Sequence, residues 1–287
     1  MPLMRFTLDG RPTLGVVTDA GVRPLDVTLA ELLAQPLAQA RSRIEAAGDT
    51  AAVTVAPDEV LPPVDRQEIW AAGVTYKRSR DGRIEESGNE TLYDHVYSAA
   101  RPEIFFKAPP QRVVTTGQPV GIRADSGWDV PEAEIALVIN SAGEVFGYLV
   151  GNDMSSRSIE GENALYIPQA KVYEASCALS AEIVPVWEAP PLPLSISVRV
   201  ERGLATVYSG TTESDTMHRT FDELVSWLML ALPFPDGVVL MTGTGLVPDA
   251  DTTLEAGDVV TIAIAGVGEL ANPVVVVGSS APGVTSG

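Results

Sequence analysis

The stretch "VPEAEIALVINSAGEVFGYLVGNDMSS", residues 130–156, sets two apolar runs around the turn-forming "SAGE" and places Glu132, Glu134 and Asp153 among Val, Ile, Leu and Ala. Two β-rich runs about a Gly-containing connection predict a hairpin. If the turn centres on Ala142 and Gly143, paired residue numbers sum to 285, so Glu134 faces Gly151 and Glu132 faces Asp153. Side chains two apart in a strand leave the same face, and cross-strand neighbours stand about 5 Å apart. The three carboxylates are therefore expected to converge. Acidic side chains are almost never buried without a partner, so something nearby must offset their charge.

Two partners fit the spacing. A cation between like charges would relieve their repulsion, and all-oxygen ligation favours a hard ion such as Mg²⁺, Mn²⁺ or Ca²⁺. Alternatively Arg123, Arg157 or Lys171 pairs with the acids in a salt-bridge network. Spacing alone does not choose between them.

Outward from the hairpin, the runs "IFFKA", "LSISVRVE", "GVVLMTG", "DVVTIAIAG" and "NPVVVV" read as strands separated by Gly, Pro, Asn and Asp. The helix "TFDELVSWLMLAL" begins with Thr220 and Glu223 in capping-box spacing. Many strands without regular helix alternation predict an α+β, mostly β fold with a rolled or barrel-like sheet. Residues 1–65 read as a small N-terminal α/β module. Its helix starts near Thr28 in "TLAE", is kinked or split by Pro36, and stops near Gly48. The proline-rich "APDEVLPPVDR" reads as a linker, residues 66–278 as the main domain, and 279–287 as a disordered tail.

The chain has 287 residues with 19 Lys+Arg against 38 Asp+Glu, a formal charge of −19. Such a surface disfavours nucleic acid and anionic membrane as partners, and no apolar run reaches the roughly 20 residues of a membrane span. One cysteine, Cys177, excludes an internal disulfide and a Cys-based metal cluster. A cytoplasmic location is expected.

"VPEAEIALVIN…GYLVGNDMSSRSIE…PQAKVYEASCALS", with "MTGTG" further on, resembles the fumarylacetoacetate hydrolase superfamily from about Ile69 to Pro273. "GVTYKRSRDGRIEES", "YDHVYSAARPEIFFKA" and "ENALYIPQAKVY" look closest to its branch containing 2-keto-3-deoxy-arabinonate dehydratases. The resemblance implies a mixed β-roll, a homodimer or homotetramer, a small 2-oxo acid substrate and a divalent metal, with Mg²⁺ first and Mn²⁺ or Ca²⁺ as alternatives. It implies Glu132, Glu134 and Asp153 as metal ligands, Glu103 and Lys171 as catalytic residues, and Thr244, Glu160, Ser79, Lys107 and Gly243 as substrate-binding residues. Hydrolase members carry a water-activating histidine near the position of Ser79, and an aspartate where this chain has Ser158. That loss weakens hydrolysis, which needs a base for its water. His95 is a candidate substitute from a lid, although His95 and His218 read more simply as ordinary helix or loop residues. "KRSRDGR" reads as a loop, either solvated or a lid in which Arg78, Arg80 and Arg83 grip the substrate.

The implied chemistry is Lewis-acid stabilisation of the enolate that forms when a 2-oxo acid loses a C3 proton. Expelling a 4-hydroxyl then gives dehydration of a 2-keto-3-deoxy sugar acid. The alternatives are hydrolysis, decarboxylation or isomerisation of an acylpyruvate-type acid, or a non-catalytic metal- and acid-binding scaffold.

Overall fold

A computed structural model describes residues 1–46, 50–87, 90–249 and 251–279. The expected stop at Gly48 and the expected disorder from residue 280 onward lie outside the described residues.

The hairpin forms in the predicted register. Strand Ala133–Ile139 pairs antiparallel with Val145–Asp153, Glu134 opposite Gly151 and Ala133 opposite Asn152, and a bulge shifts the pairing only at Val138/Ile139. One step beyond the first strand, the Asp153 N–H donates to the Glu132 carbonyl at 3.0 Å. The register follows from burial on both faces. Ile135, Leu137 and Ile139 join one apolar cluster and Ala136 and Val138 the other, so a one-residue slip would exchange the two sets.

This hairpin is the middle of a large mixed sheet. Its path runs Gly21–Pro24, Arg11–Thr18, Leu3–Leu8, Glu182–Pro185, Val145–Asp153, Ala133–Ile139, Val238–Met241, Glu68–Gly73, Glu103–Ala108. Pairing is parallel between Val238–Met241 and Glu68–Gly73 and antiparallel between the other neighbours on that path. A second sheet orders Ala205–Glu213, Ser195–Arg202, Val259–Ile264, Gly268–Val277 and Val120–Arg123. Its Ile196, Val198 and Ile262 meet Ile135 and Leu137 in the core between the sheets. The fold is mostly β, as expected, and the path of the large sheet stays open rather than closing into a barrel.

On the opposite face, Leu29, Leu32 and Leu33 of the N-terminal helices pack over Ala136 and Val138. Thr28 and Glu31 form the full capping box, and the helix splits at Pro36 into Leu29–Leu33 and Leu37–Ala46. Backbone pairing continues from the N-terminal strands into the body, with Leu3 opposite Ile183. The stretch read as a linker supplies its own short strand, Val60–Leu61, paired with Leu3–Leu8.

Two local expectations change. "KRSRDGR" is not a loop: Lys77–Ser87 is an α-helix, because its Lys, Arg and Glu residues are good helix formers that outweigh one glycine. Thr220 caps Phe221–Met229 by accepting from the Glu223 N–H. Glu223, however, turns its carboxylate to Arg219 at 2.5 Å, so the return half of that capping box gives way to an ion pair.

The short strand Asp129–Val130 pairs with Ser155–Ser156 and anchors the chain entering the hairpin. Asp129 is 3% exposed and its Oδ1 has no hydrogen-bond partner, so burial pushes its carboxyl from 3.8 up to about 6. The folded state thus holds this proton more tightly than the unfolded chain. Its contribution to stability is complete below about pH 4 and is lost as pH rises through about 6. Asp129→Asn should therefore gain stability relative to the parent protein across that window, by on the order of 1–3 kcal/mol. Urea unfolding at pH 4.5 and 7.0 measures this, and an equal offset at both pH values contradicts it.

Candidate active site

Five segments end at one edge of the large sheet. Asp153 closes its strand, Glu132 and Glu134 lie at the start of the antiparallel neighbour, and Gly243 follows Val238–Met241. Gly73 closes the next strand and Glu103 opens the one beyond. Alternating strand directions thus gather residues distant in sequence.

Glu132, Glu134 and Asp153 are 6%, 1% and 1% exposed, and one oxygen from each lies within 4.8 Å of the others. The spacing argument left metal and salt bridges open, and part of each is present. Lys171 Nζ reaches Glu132 Oε2 at 2.8 Å, Asp153 Oδ2 at 3.1 Å and Ser155 Oγ at 2.6 Å. Arg157 joins Glu132 at 2.8 Å to Glu160 at 3.2 Å, and Arg83 joins Glu160 from the other side at 2.5 Å. Lys107, fully buried, pairs with Asp153 Oδ1 and donates to the backbone carbonyls of Met154 at 3.0 Å and Lys171 at 2.5 Å. Arg123 goes elsewhere, to Asp125 at 2.6 Å.

Glu134 is treated differently. Among the described residues it has no ion-pair partner, and its hydrogen bond comes from the Gly243 N–H, 2.6 Å from Oε2. Burial, then Asp153 and Glu132, drive its carboxyl well above the ordinary range. Burial alone would raise Glu132 too, but Lys171, Arg157 and Arg83 outweigh it and hold that carboxyl well below. Burial would lower Lys171, yet Asp153, Glu132 and Glu160 prevail and keep it a firmly held ammonium.

These residues fit a divalent metal. Each carboxylate oxygen has two lone pairs, so Glu132 and Asp153 can accept N–H bonds and still ligate, in the manner of outer groups that orient metal ligands. Glu134, with no ion-pair partner among the described residues, is the acid whose ionised form a bound cation would favour. With every group ionised, the cluster's five acids, Glu103 and Glu160 included, stand against four bases, a formal balance of one negative charge. A divalent ion inverts that sign, and a monoanionic acid then balances it.

The other expected residues take distinct places. Glu103 Oε2 is shut off from solvent with no hydrogen-bond partner. Burial raises its carboxyl, and Arg83 opposes that rise. Glu160 is fully buried between the two arginines. Gly243 has φ +93°, where glycine is favoured, and a Cβ there would lie 2.0 Å from Thr75 Oγ1. Thr75 Oγ1 in turn donates to the Thr242 carbonyl at 2.7 Å, fixing the same peptide group whose Gly243 N–H reaches Glu134. The Thr244 hydroxyl is engaged in its own turn, with the Leu246 N–H at 3.1 Å and its carbonyl at 3.2 Å. The Ser79 hydroxyl donates to the Tyr76 carbonyl at 2.7 Å. Val74, between Gly73 and Thr75, has φ 53°, an unusual conformation for a β-branched residue.

His95 is exposed on the helix Glu90–Ser98, and His218 stacks on Tyr97 with centroids 4.6 Å apart. Both match the simpler reading. Arg83, grouped in the sequence with Arg78 and Arg80, is the one of the three that is buried; Arg78 meets Asp249 at 3.4 Å and Arg80 meets Asp81 at 2.6 Å. Only the helical period of Lys77–Ser87 would have separated Arg83 from the other two.

Residues 69–275 match the family model described as fumarylacetoacetate (FAA) hydrolase C-terminal. A probable 2-keto-3-deoxyxylonate dehydratase of Haloferax volcanii is 49% identical over 216 residues, 75% of this chain and 74% of that protein. The 2-dehydro-3-deoxy-D-arabinonate dehydratase of Saccharolobus solfataricus is 39% identical over 220 residues, again 75% and 74%. A solved structure of 2-keto-3-deoxy-D-arabinonate dehydratase, complexed with magnesium and 2,5-dioxopentanoate, is similar with TM-score 0.82 at 31% identity, covering 96% of this chain and 99% of that one. With the match spanning the hairpin, the lysine segment and the glycine-rich turn, this chain belongs to the fumarylacetoacetate hydrolase family.

Proposed function

We propose that the protein is a Mg²⁺-dependent hydro-lyase that removes water from a 2-keto-3-deoxy sugar acid. The observation that carries this reading is the buried trio in which Glu134 alone lacks a cationic partner. Its relatives with dehydratase names supply the reaction class. Glu132, Glu134 and Asp153 would hold the ion, whose Lewis acidity toward a keto oxygen makes the adjacent C3 hydrogen acidic.

The protein's own groups divide the remaining work. Lys171 is an ammonium braced by Glu132 and Asp153, so it offsets the substrate carboxylate rather than taking a proton. Glu103 is the proton carrier. Its raised carboxyl sits closer to working pH than an ordinary glutamate, which favours exchange in both directions. As carboxylate it accepts the C3 proton; as acid it returns a proton to the departing C4 hydroxyl. The C4–O bond breaks, a C3–C4 double bond forms, and water leaves. Arg83 and Arg157 hold Glu160 between them, and Lys107 fixes Asp153. Ser79, Gly243 and Thr244 line the substrate end, a role that requires Thr244 to release its own turn. The reading extends to a cytoplasmic homodimer or homotetramer, supported by the single buried, unpaired Cys177 and the family resemblance.

Purified protein with Mg²⁺ and a panel of 2-oxo acids, followed by NMR, tests the reaction. Loss of water with the carbon chain intact is expected, abolished by a chelator and restored by Mg²⁺. Release of pyruvate or oxaloacetate instead overturns the assignment in favour of carbon–carbon cleavage.

Glu134→Gln separates the metal role from the structural one. Replacing a buried carboxyl that has no ion-pair partner among the described residues by a neutral amide should leave the metal-free protein as stable as the parent or more so. Mg²⁺ affinity should fall at least about tenfold by calorimetry, since even outer groups around a metal are worth that much. The stabilisation of about 2.7 kcal/mol that the parent gains at a hundredfold excess of Mg²⁺ over its Kd should largely vanish. Unchanged Mg²⁺ binding would remove Glu134 from the ligand set.

A further inference from the structure

We infer that Gly73 is a positioning residue for Glu103: the missing side chain at position 73 is the space that seats the Glu103 carboxylate. The inference rests on the reading of Glu103 as the proton carrier and adds what places it. Gly73 and Glu103 are register partners across the antiparallel strands Glu68–Gly73 and Glu103–Ala108. Side chains of directly opposed residues leave the same face close together, so a side chain at one position competes for the space of the other. A Cβ on Gly73 would lie 2.2 Å from Glu103 Oε2, 2.7 Å from Cδ and 3.4 Å from Cγ. These three nearest atoms all belong to Glu103.

Backbone conformation does not explain this glycine. Gly243 and Gly237 have positive φ, whereas Gly73 lies outside the left-handed region. An alanine backbone fits there, and only its methyl does not. Among the described residues Glu103 Oε2 has no hydrogen-bond partner, and it is shut off from solvent. The charged groups acting on this carboxyl are Arg83, Glu160, Lys171 and Glu132, none of which has a described hydrogen bond to that oxygen. The carboxylate thus occupies the space that a side chain at position 73 would fill. A methyl there pushes the carboxylate by about an ångström, and a shift of that size in a reacting group costs on the order of a hundredfold in rate.

The test is a double-mutant cycle in the full chain with Mg²⁺, reading kcat and KM for dehydration, Mg²⁺ binding by calorimetry, and deuterium exchange at C3 of 2-oxobutanoate, which has no leaving hydroxyl. Gly73→Ala should lose about a hundredfold in kcat and in C3 exchange, with KM and Mg²⁺ affinity within about twofold of the parent. In the Glu103→Gln background the same methyl should cost less than about threefold, and in the Glu103→Asp background it should cost less than in the parent. A parental rate for Gly73→Ala, or an equal penalty in the Glu103→Gln background, overturns the positioning role and leaves Glu103 as proton carrier. A parental rate for Glu103→Gln overturns the proton-carrier reading and the inference with it. Should Gly73→Ala fail to fold, Gly73→Ala with Glu103→Ala decides: recovery of folding supports the seat, and continued failure refutes it.

Discussion

Burying charge is the constraint on which this structure turns. Moving an ion pair out of water costs several kcal/mol per ion, and mutual attraction offsets that only when geometry is good and the remaining lone pairs are satisfied. Here Glu132, Asp153, Glu160, Lys107, Lys171, Arg83 and Arg157 form a chain of contacts in which each carboxylate has a cation. Glu134 is left with one backbone N–H. A chain selected for stability alone has simpler ways to fill this space, since apolar side chains of similar volume often replace a buried pair without loss. The arrangement makes physical sense as a site kept for a ligand of high charge density.

Sheet topology makes that concentration of charge geometrically possible. Antiparallel neighbours place the end of one strand beside the start of the next, so Asp153 and Glu134 meet although they lie nineteen positions apart in the chain. The parallel pair Val238–Met241 and Glu68–Gly73 then delivers two strand ends side by side, one followed by Gly243 and the other closed by Gly73. The core below is apolar on both faces and holds the strands rigidly. Side chains fixed on such a frame lose little further freedom on binding, which is what a preorganised site requires.

Local order was legible in the sequence and long-range order was not. The hairpin register could be read because a strand has period two and a short turn fixes the pairing, so Glu132, Glu134 and Asp153 were placed together before any coordinates. The Thr28 capping box and the break at Pro36 were likewise nearest-neighbour effects. Glu103 opposite Gly73, and Gly243 beneath Glu134, join segments 30 and 109 residues apart, where no periodicity carries the information. "KRSRDGR" has the Gly and Ser of a loop, yet the helix-forming Lys, Arg and Glu residues around them prevail in the helix Lys77–Ser87. Lys171 stands among the cations that could pair with the acids on sequence grounds, whereas Glu103 and a catalytic role for Lys171 come only from the family resemblance.

Val74 carries a further consequence. A β-branched residue at φ 53° stores on the order of 1–3 kcal/mol of backbone strain, and neighbouring contacts must overdetermine that conformation for it to persist. It lies between Gly73, the register partner of Glu103, and Thr75, which bonds the Thr242 carbonyl before the Gly243 turn. A glycine at 74 would relax the backbone and enlarge its freedom at the joint between the Glu103 and Gly243 sides of the candidate site. Thermal robustness and alignment therefore pull in opposite directions at this residue, and lineages of this fold that adapt to heat have reason to leave it alone and gain their stability elsewhere.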